Sequence, residues 1–474
     1  MTSTPFRWTD AGVLRALGLE DVVEPRELSF TGVSTDTRTL DPGALFVALE
    51  GPTFDGHKFL AEAARQGAAG AVVREDTADL EVLPLYPVPD TLVALGQLGR
   101  FRRRALSAPV VALTGSSGKT TVKELLRAAL GSTLRVHATS ANLNNRIGVP
   151  LTLLAAPDDA EAVIVELGTN EPGEIATLAR IAEPDLGLVV NVGESHLEGL
   201  GSLDGVIEEK LSLLAHLRPG VPAIVADVPP ILPRRAREIR EDVEVAGFTE
   251  GADDSLRGEL GSPDRTGRIS FRFQGRSIEP GLPGLHGARN TLLALAVSTH
   301  LGVSLDSAIP EVEAQRPGRL RGEWLRLGRL ALILDCYNAN PPSVRAALET
   351  LASVNWDGPR MAVLGSMLEL GAQSPSLHRE VLEEALEGPL ELIVVVGAFS
   401  EAARELDLED DHRVLLAPDT ASVWAQLRPR LEGRELVLLK GSRGMRLEAL
   451  VPRFEAAFAP VGDGSGDDSS GEEA

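Results

Sequence analysis

Val110-Val-Ala-Leu-Thr-Gly-Ser-Ser-Gly-Lys-Thr-Thr-Val-Lys-Glu-Leu-Leu-Arg-Ala-Ala-Leu-Gly131 is the stretch that decides the fold of this chain. Its first four residues are uniformly apolar, as in a strand buried on both faces. Val122, Leu125, Leu126, Ala129 and Leu130 then recur on one helical face, and Gly131 supplies the stop. Between strand and helix lies the Gly-rich turn Thr114 to Lys119, which aims backbone N–H groups and a helix N-terminus at phosphates. Lys119 adds a point charge and Thr120 a hydroxyl suited to Mg2+, so the unit predicts ATP binding. The general G-x-x-x-x-G-K-[ST] spacing would need glycine where Leu113 stands, so only its inner half is met.

Outward from this unit the same pattern repeats. Apolar runs at Ala162 to Leu167, Leu186 to Val192, Leu330 to Asp335, Met361 to Leu364, Leu392 to Val396 and Glu435 to Lys440 alternate with helical periodicity. Such βα units predict parallel, doubly wound sheets in both halves. One boundary is placed after the basic run Arg102 to Arg104 and another near Gln315-Arg-Pro-Gly318. The expected layout is α/β with three domains, over 1–105, 106–316 and 317–460, followed by an acidic, disordered tail over 461–474.

Composition agrees with that count. At about 150 residues per domain, 474 residues make roughly three, and 43% hydrophobic content fills a core in each. A net charge of −23 disfavours nonspecific binding to nucleic acid or anionic lipid. Cys336 is the only cysteine, which excludes intrachain disulfides and multi-cysteine zinc sites. Met1 to Asp10 has no cationic-then-apolar pattern, and no uncharged apolar stretch of about 18 residues occurs. A cytoplasmic protein without membrane insertion is expected. Among 46 basic residues only Lys58, Lys119, Lys123, Lys210 and Lys440 are lysine, so each is suspected of a task that arginine cannot perform.

Several of the remaining polar residues cluster where strands end, the place where open α/β sheets bind ligands. Glu166 closes one run and His196 follows another, so both could share Mg2+ with Thr120. Lys210 lies on the stretch Val206, Ile207, Leu211, Leu214, where the plain expectation is a solvated helix lysine. Asp335 leads into Cys336-Tyr-Asn-Ala-Asn-Pro341, and Lys440 into Gly441-Ser-Arg443. Cys336 is not read as a nucleophile, because no His or Asn signature accompanies it.

Taken together the motifs resemble the Mur ligases of peptidoglycan synthesis over nearly all of residues 28–455. Ser34-Thr-Asp-Thr-Arg38, Pro42 to Leu49 and Asp55-Gly-His-Lys-Phe59 look like that family's uridine-nucleotide domain. Thr114 to Thr120 is its form of the phosphate loop, which accounts for the missing outer glycine. Asn142-Leu-Asn-Asn-Arg-Ile-Gly-Val-Pro150, Tyr337-Asn-Ala-Asn-Pro341, Leu364-Gly-Ser-Met-Leu-Glu-Leu-Gly371 and Lys440-Gly-Ser-Arg443 point to the branch that adds a D-alanyl-D-alanine unit. The Asp-Asn-Pro-Arg motif of the diaminopimelate-adding branch is absent.

The resemblance implies a small uridine-nucleotide domain, a central P-loop ATPase-like domain and a C-terminal Rossmann-like domain. It implies ATP held by Gly115, Ser116, Ser117, Gly118, Lys119, Thr120 and Thr121, with Asn145, His286, Asn290, Arg319, Asp335, Tyr337, Asn338 and Asn340 around the nucleotide. Two Mg2+ ions would be held by Thr120, Glu166, His196 and Lys210, the last carbamylated by CO2. The substrate UDP-N-acetylmuramoyl-tripeptide and the incoming dipeptide would meet Ser34, Thr35, Asp36, Arg38, Asp55, Gly56, His57, Asn142, Asn144, Lys440, Ser442 and Arg443. Departures are Cys336 and Leu334 where the family often has Ser and Asp, Gly287 for Asn, and Ser212 for Glu.

The implied reaction activates a carboxylate as an acyl phosphate and lets an amine displace the phosphate. A monomer whose C-terminal domain swings in to exclude water is expected. Two other readings are weighed. A folylpolyglutamate-like or single-amino-acid adder is opposed by the N-terminal motifs and by Tyr337 to Pro341; an ATP-gated protein without turnover is opposed by the intact Lys119, Glu166, His196 and Lys210 set.

Overall fold

A computed structural model of the chain describes residues 6–77 and 83–459. The acidic tail expected over 461–474 lies outside the described residues. The chain forms two compact units. One comprises residues up to Ser262 with Ser270–Gly281 and His286–Gln315; the other comprises Pro263–Ile269, Leu282–Leu285 and the chain from Arg316 onward. No helix among the described residues is long and apolar enough to cross a membrane.

The first unit is organised by a six-stranded, wholly parallel sheet. Its spatial order is Val136–Ala138, Ala162–Glu166, Val110–Thr114, Leu186–Val189, Ala223–Ala226, Val243–Ala246. Every residue of Val110–Thr114 is buried, as a strand covered on both faces requires. After this strand the chain builds one side of the sheet and then crosses to the other for Leu186–Val189. The carboxyl ends of three adjacent strands therefore open onto a topological switch point. The turn at that point is made by Gly118, whose φ of +74° starts the Lys119–Gly131 helix. Val122, Leu125, Leu126, Ala129 and Leu130 are its buried face.

A smaller parallel sheet in the same unit has the order Val33–Ser34, Leu45–Val47, Gly70–Arg74, Leu85–Val88. The Thr91–Ala105 helix follows, with the Asp90 carboxylate accepting from the N–H groups of Leu92 and Val93. The basic run Arg102 to Arg104 closes this helix. Arg102 and Arg103 are buried, paired with Asp158 at 2.6 Å and Asp185 at 2.5 Å.

The second unit holds another six-stranded sheet, ordered Glu323–Leu327, Leu330–Asp335, Leu436–Lys440, Arg360–Gly365, Leu392–Val396, Val414–Ala417. Only its first strand is antiparallel, in a hairpin with Leu330–Asp335. Leu332, Val363, Val394, Leu439 and Phe454 share its core. Asp335 and Lys440 are register partners, so two ionisable residues end adjacent strands side by side.

Three expected strands are shortened, the one expected to reach Leu167 by a single residue. The run to Val192 leaves the sheet after Val189, because Val190 and Asn191 turn over the phosphate loop. Glu435 precedes its strand, since its carboxylate accepts the N–H groups of Glu432, Gly433 and Arg434. Strands Ala223–Ala226 and Val243–Ala246 were not among the expected ones.

Candidate active site

The turn after Val110–Thr114 is braced from the neighbouring strand end. Asn191 Oδ1 accepts from Ser116 N and Ser117 N, both at 3.0 Å, while its Nδ2 donates to Ser117 Oγ at 2.9 Å. Ser116 Oγ donates to Gly193 O and accepts from Ser195 Oγ at 2.9 Å, which seats the residue before His196 on the loop. Lys119 Nζ donates to Gly115 O at 2.7 Å, so its charge lies along the loop it follows. Sequence reasoning missed Asn191 because its partners lie about 75 positions away.

Glu166 stands at the end of the adjacent strand. Its Oε1 accepts from Thr120 Oγ1 at 3.4 Å and Asn144 Nδ2 at 3.0 Å, whereas its buried Oε2 has no partner. Asn142, Asn144 and Asn145 lie in the segment before the Gly148–Leu154 helix, and Asn145 Oδ1 caps the N–H groups of Ile147 and Gly148. His196 is half-buried in a left-handed conformation at φ +52°, opening the Leu197–Leu200 turn.

Lys210 is not a solvated helix lysine. It lies on the buried side of the Leu203–Ala215 helix with no exposed surface, and its Nζ has no hydrogen-bond partner. Desolvation, reinforced by the charge on Lys119 and opposed by Glu209, pushes its pKa well below the ordinary lysine value. Glu209 does not supply a counter-ion contact. Its carboxylate is spent on Thr169 Oγ1, Gly173 N and Ile175 N. Asn290, on the Gly284–His300 helix, packs against Gly118, while His286 on the same helix is exposed.

The fit of a divalent ion can be judged from the donors. Among the described residues no group of three or more His, Cys, Asp or Glu is placed to hold a metal. An ion here would therefore draw on the Thr120 hydroxyl, the unused Glu166 oxygen, the His196 ring and phosphate oxygens, and on Lys210 only after its amine became an anionic oxygen donor. An orphaned, desolvated amine suits that conversion.

The N-terminal candidates are largely self-satisfied. Arg38 donates to both carboxylate oxygens of Asp36, chiefly through this hydrogen bonding holding the Asp36 pKa down to about 2, and Ser34 Oγ donates to Asp36 O. Thr35 lies inside this turn. His57 has both ring nitrogens engaged, with Nδ1 at 2.8 Å from Asp55 and Nε2 accepting from Arg74 N. His57 thus fixes the Asp55–Gly56 turn.

In the second unit, Lys440 Nζ lies 2.9 Å from Asp335 Oδ2 and donates to Asn338 O at 2.8 Å. Ser442 Oγ donates to Ala339 O and accepts from Leu368 N, joining two of the motif loops. Asn340 caps the Pro341–Ser353 helix, Tyr337 lies 3.9 Å under the Arg321 guanidinium, and Arg443 pairs with Glu448. Arg319 is exposed. Cys336 is buried with its thiol pKa pushed up to about 12, mainly by desolvation, which agrees with its exclusion as a nucleophile.

A parallel-sheet unit with a Thr-Gly-x-x-Gly-Lys-Thr loop, a strand-end glutamate and a buried amine defines a class. Residues 29–103 match the Mur ligase family catalytic domain, 113–298 the Mur ligase middle domain, and 320–443 the Mur ligase glutamate ligase domain. The chain belongs to the Mur ligase family.

Within it, the chain is 35% identical to the UDP-N-acetylmuramoyl-tripeptide–D-alanyl-D-alanine ligase of Escherichia coli, covering 91% of this chain and 95% of the relative. Its fold is similar to MurF from Acinetobacter baumannii, with a TM-score of 0.86, 30% identity, and 95% and 99% of the two chains covered. MurF ligase from Thermotoga maritima, solved in complex with ADP, gives a TM-score of 0.79 at 28% identity, covering 90% and 97%.

Proposed function

We propose that this chain is an ATP-dependent amide ligase joining D-alanyl-D-alanine to UDP-N-acetylmuramoyl-tripeptide, the step that completes the pentapeptide precursor of peptidoglycan. The full-length likeness to ligases of that name supports the substrate pair. The observation that carries the chemistry is the buried, partnerless Lys210 amine, with the Lys119 charge acting on it, in a unit whose phosphate loop adjoins a half-used Glu166.

The tripeptide carboxylate attacks the γ-phosphorus of ATP, ADP leaves, and an acyl phosphate forms. The dipeptide amine then attacks the acyl carbon and expels inorganic phosphate. The Lys119 charge neutralises the phosphates, and Asn191, which accepts from the Ser116 and Ser117 amides, holds the loop in shape for them. Mg2+ bound by Thr120, Glu166, His196 and a modified Lys210 would supply further charge neutralisation at the phosphates. Neutral Lys210 is the form able to add CO2, giving a carbamate and releasing one proton; arginine has no equivalent chemistry.

Asp36, Arg38 and the Asp55–Gly56 turn are proposed to receive the uridine nucleotide, with Ser34 and His57 bracing them. Asn142, Asn144, Ser442 and Arg443 are proposed on the peptide substrates, with Asp335, Tyr337, Asn338 and Arg319 on the nucleotide. We read the enzyme as a cytoplasmic monomer. The test is phosphate release from ATP with the muramoyl-tripeptide, with and without D-alanyl-D-alanine. Release that requires both and yields the pentapeptide is expected, and dipeptide-independent turnover with another acceptor would reject the assignment.

A further inference from the structure

Lys123 is one of the five lysines, and the reaction above makes no use of it. It lies on the Lys119–Gly131 helix, one turn beyond Lys119 and Thr120, and is only 1% exposed. Its Nζ donates to Thr139 O at 2.7 Å and lies 3.1 Å from Glu124 Oε1. Thr139 is fixed in turn from the sheet. Its N–H donates to Ile164 O at 2.9 Å, and its Oγ1 accepts from the backbone N–H of Glu166 at 3.0 Å.

These contacts close a circuit. From Thr120 the path runs through its 3.4 Å contact to Glu166, from Glu166 N to Thr139, and from Thr139 O back to Lys123, three residues along the same helix face. Thr139 also begins the segment carrying Asn142, Asn144 and Asn145, and Asn144 returns to Glu166 at 3.0 Å. A compact ammonium on a thin buried stem reaches both the Thr139 carbonyl and the Glu124 carboxylate here. A planar guanidinium would bring further donors into a space with few acceptors.

We propose that Lys123 is a positioning residue that sets the phosphate-loop helix in register with the Glu166 strand end, and so aligns Thr120 and Glu166 for a metal–nucleotide complex. The inference rests on the reading of Glu166 as a metal-holding group. Groups that orient ligands from behind typically cost about 10- to 100-fold in metal affinity when removed.

The test is calorimetric titration of the full chain with ADP, in Mg2+ and in EDTA, without turnover. Lys123→Met should weaken ADP binding about 10-fold or more in Mg2+ while changing metal-free binding less than about 2-fold. Lys123→Gln, which keeps a donor for Thr139 O, should recover most of the loss. Should Lys123→Met not fold, Thr139→Val, which removes the hydroxyl under the Glu166 amide, should give the same selective loss. Wild-type Mg2+ enhancement in the folded variant, or equal loss with and without metal, overturns the inference. Glu166→Gln run alongside separates the causes: if it keeps full enhancement, the metal reading of Glu166 fails and takes this inference with it. If Glu166→Gln loses the enhancement and the Lys123 variant keeps it, only the role of Lys123 falls.

Discussion

Lys210 and Lys440 are both buried lysines beside strand-end chemistry, one in each unit, and their surroundings are opposite. Lys440 sits between the Asp335 carboxylate and the Asn338 carbonyl, so its burial is compensated by two partners. Lys210 has no acceptor, and its neighbouring carboxylate is engaged elsewhere. An uncompensated buried charge is so costly that the group gives up its proton instead. The first arrangement is architecture. The second keeps an amine nucleophilic, which serves chemistry and does nothing for stability.

The largest expected effect breaks the activity side of this contrast. Lys210→Ala should lower kcat by about 10³-fold, the scale of removing a preorganised charge-stabilising group. Bicarbonate should not rescue it, whereas a short carboxylate entering the vacated space should do so in part. NMR with 13C-bicarbonate should show one carbamate carbon in the parent enzyme that this variant lacks. Full activity in Lys210→Ala would reject the carbamate role.

A smaller effect sharpens the stability side. Lys440→Met leaves Asp335 without its cation, and breaking such a pair costs about 3 kcal/mol, the low end because the Asp335 side chain keeps 24% exposure. Lys210→Met removes an unpaired amine and adds apolar volume of similar shape, so chemical denaturation should find it unchanged or more stable. The comparison fails if the two variants lose stability equally.

What could be read in advance follows the range of the interactions. The Val110–Gly131 unit was legible because strand burial, Gly-rich turn and helical face are all local patterns. Glu166, Asp335 and Lys440 were legible as strand ends for the same reason. Asn191 was not, because only the parallel pairing of Leu186–Val189 with Val110–Thr114 brings it over the loop. Nor was the burial of Lys210 or Lys123, since amphipathic spacing gives a helix face without saying what covers its edges. The internal satisfaction of His57 and Arg38 was equally hidden, a matter of turns folding back on themselves.

The smallest expected effect tests whether compensation also governs a buried group that titrates near neutrality. His378 is fully buried, with Nδ1 donating to Ser374 O at 2.6 Å and Nε2 accepting from Met367 N at 2.9 Å, which ties the Ser366 to Leu370 loop to the Ser374–Glu387 helix. Burial lowers its pKa below the ordinary 6.5, because a proton on Nε2 would face the Met367 N–H without solvent. Above pH 6.5 both folded and unfolded chains carry a neutral imidazole, so its contribution to stability is fully present there. As pH falls below 6.5 the unfolded chain takes up a proton that the folded chain refuses, and stability declines until the folded pKa is passed. Denaturation at pH 6.5 and 5.5 should show a loss of stability in the parent that His378→Gln lacks, bounded by about 1.4 kcal/mol because one proton is worth at most that per pH unit. The same slope in both proteins would mean that His378 is protonated in place, and that two satisfied ring nitrogens do not hold it neutral.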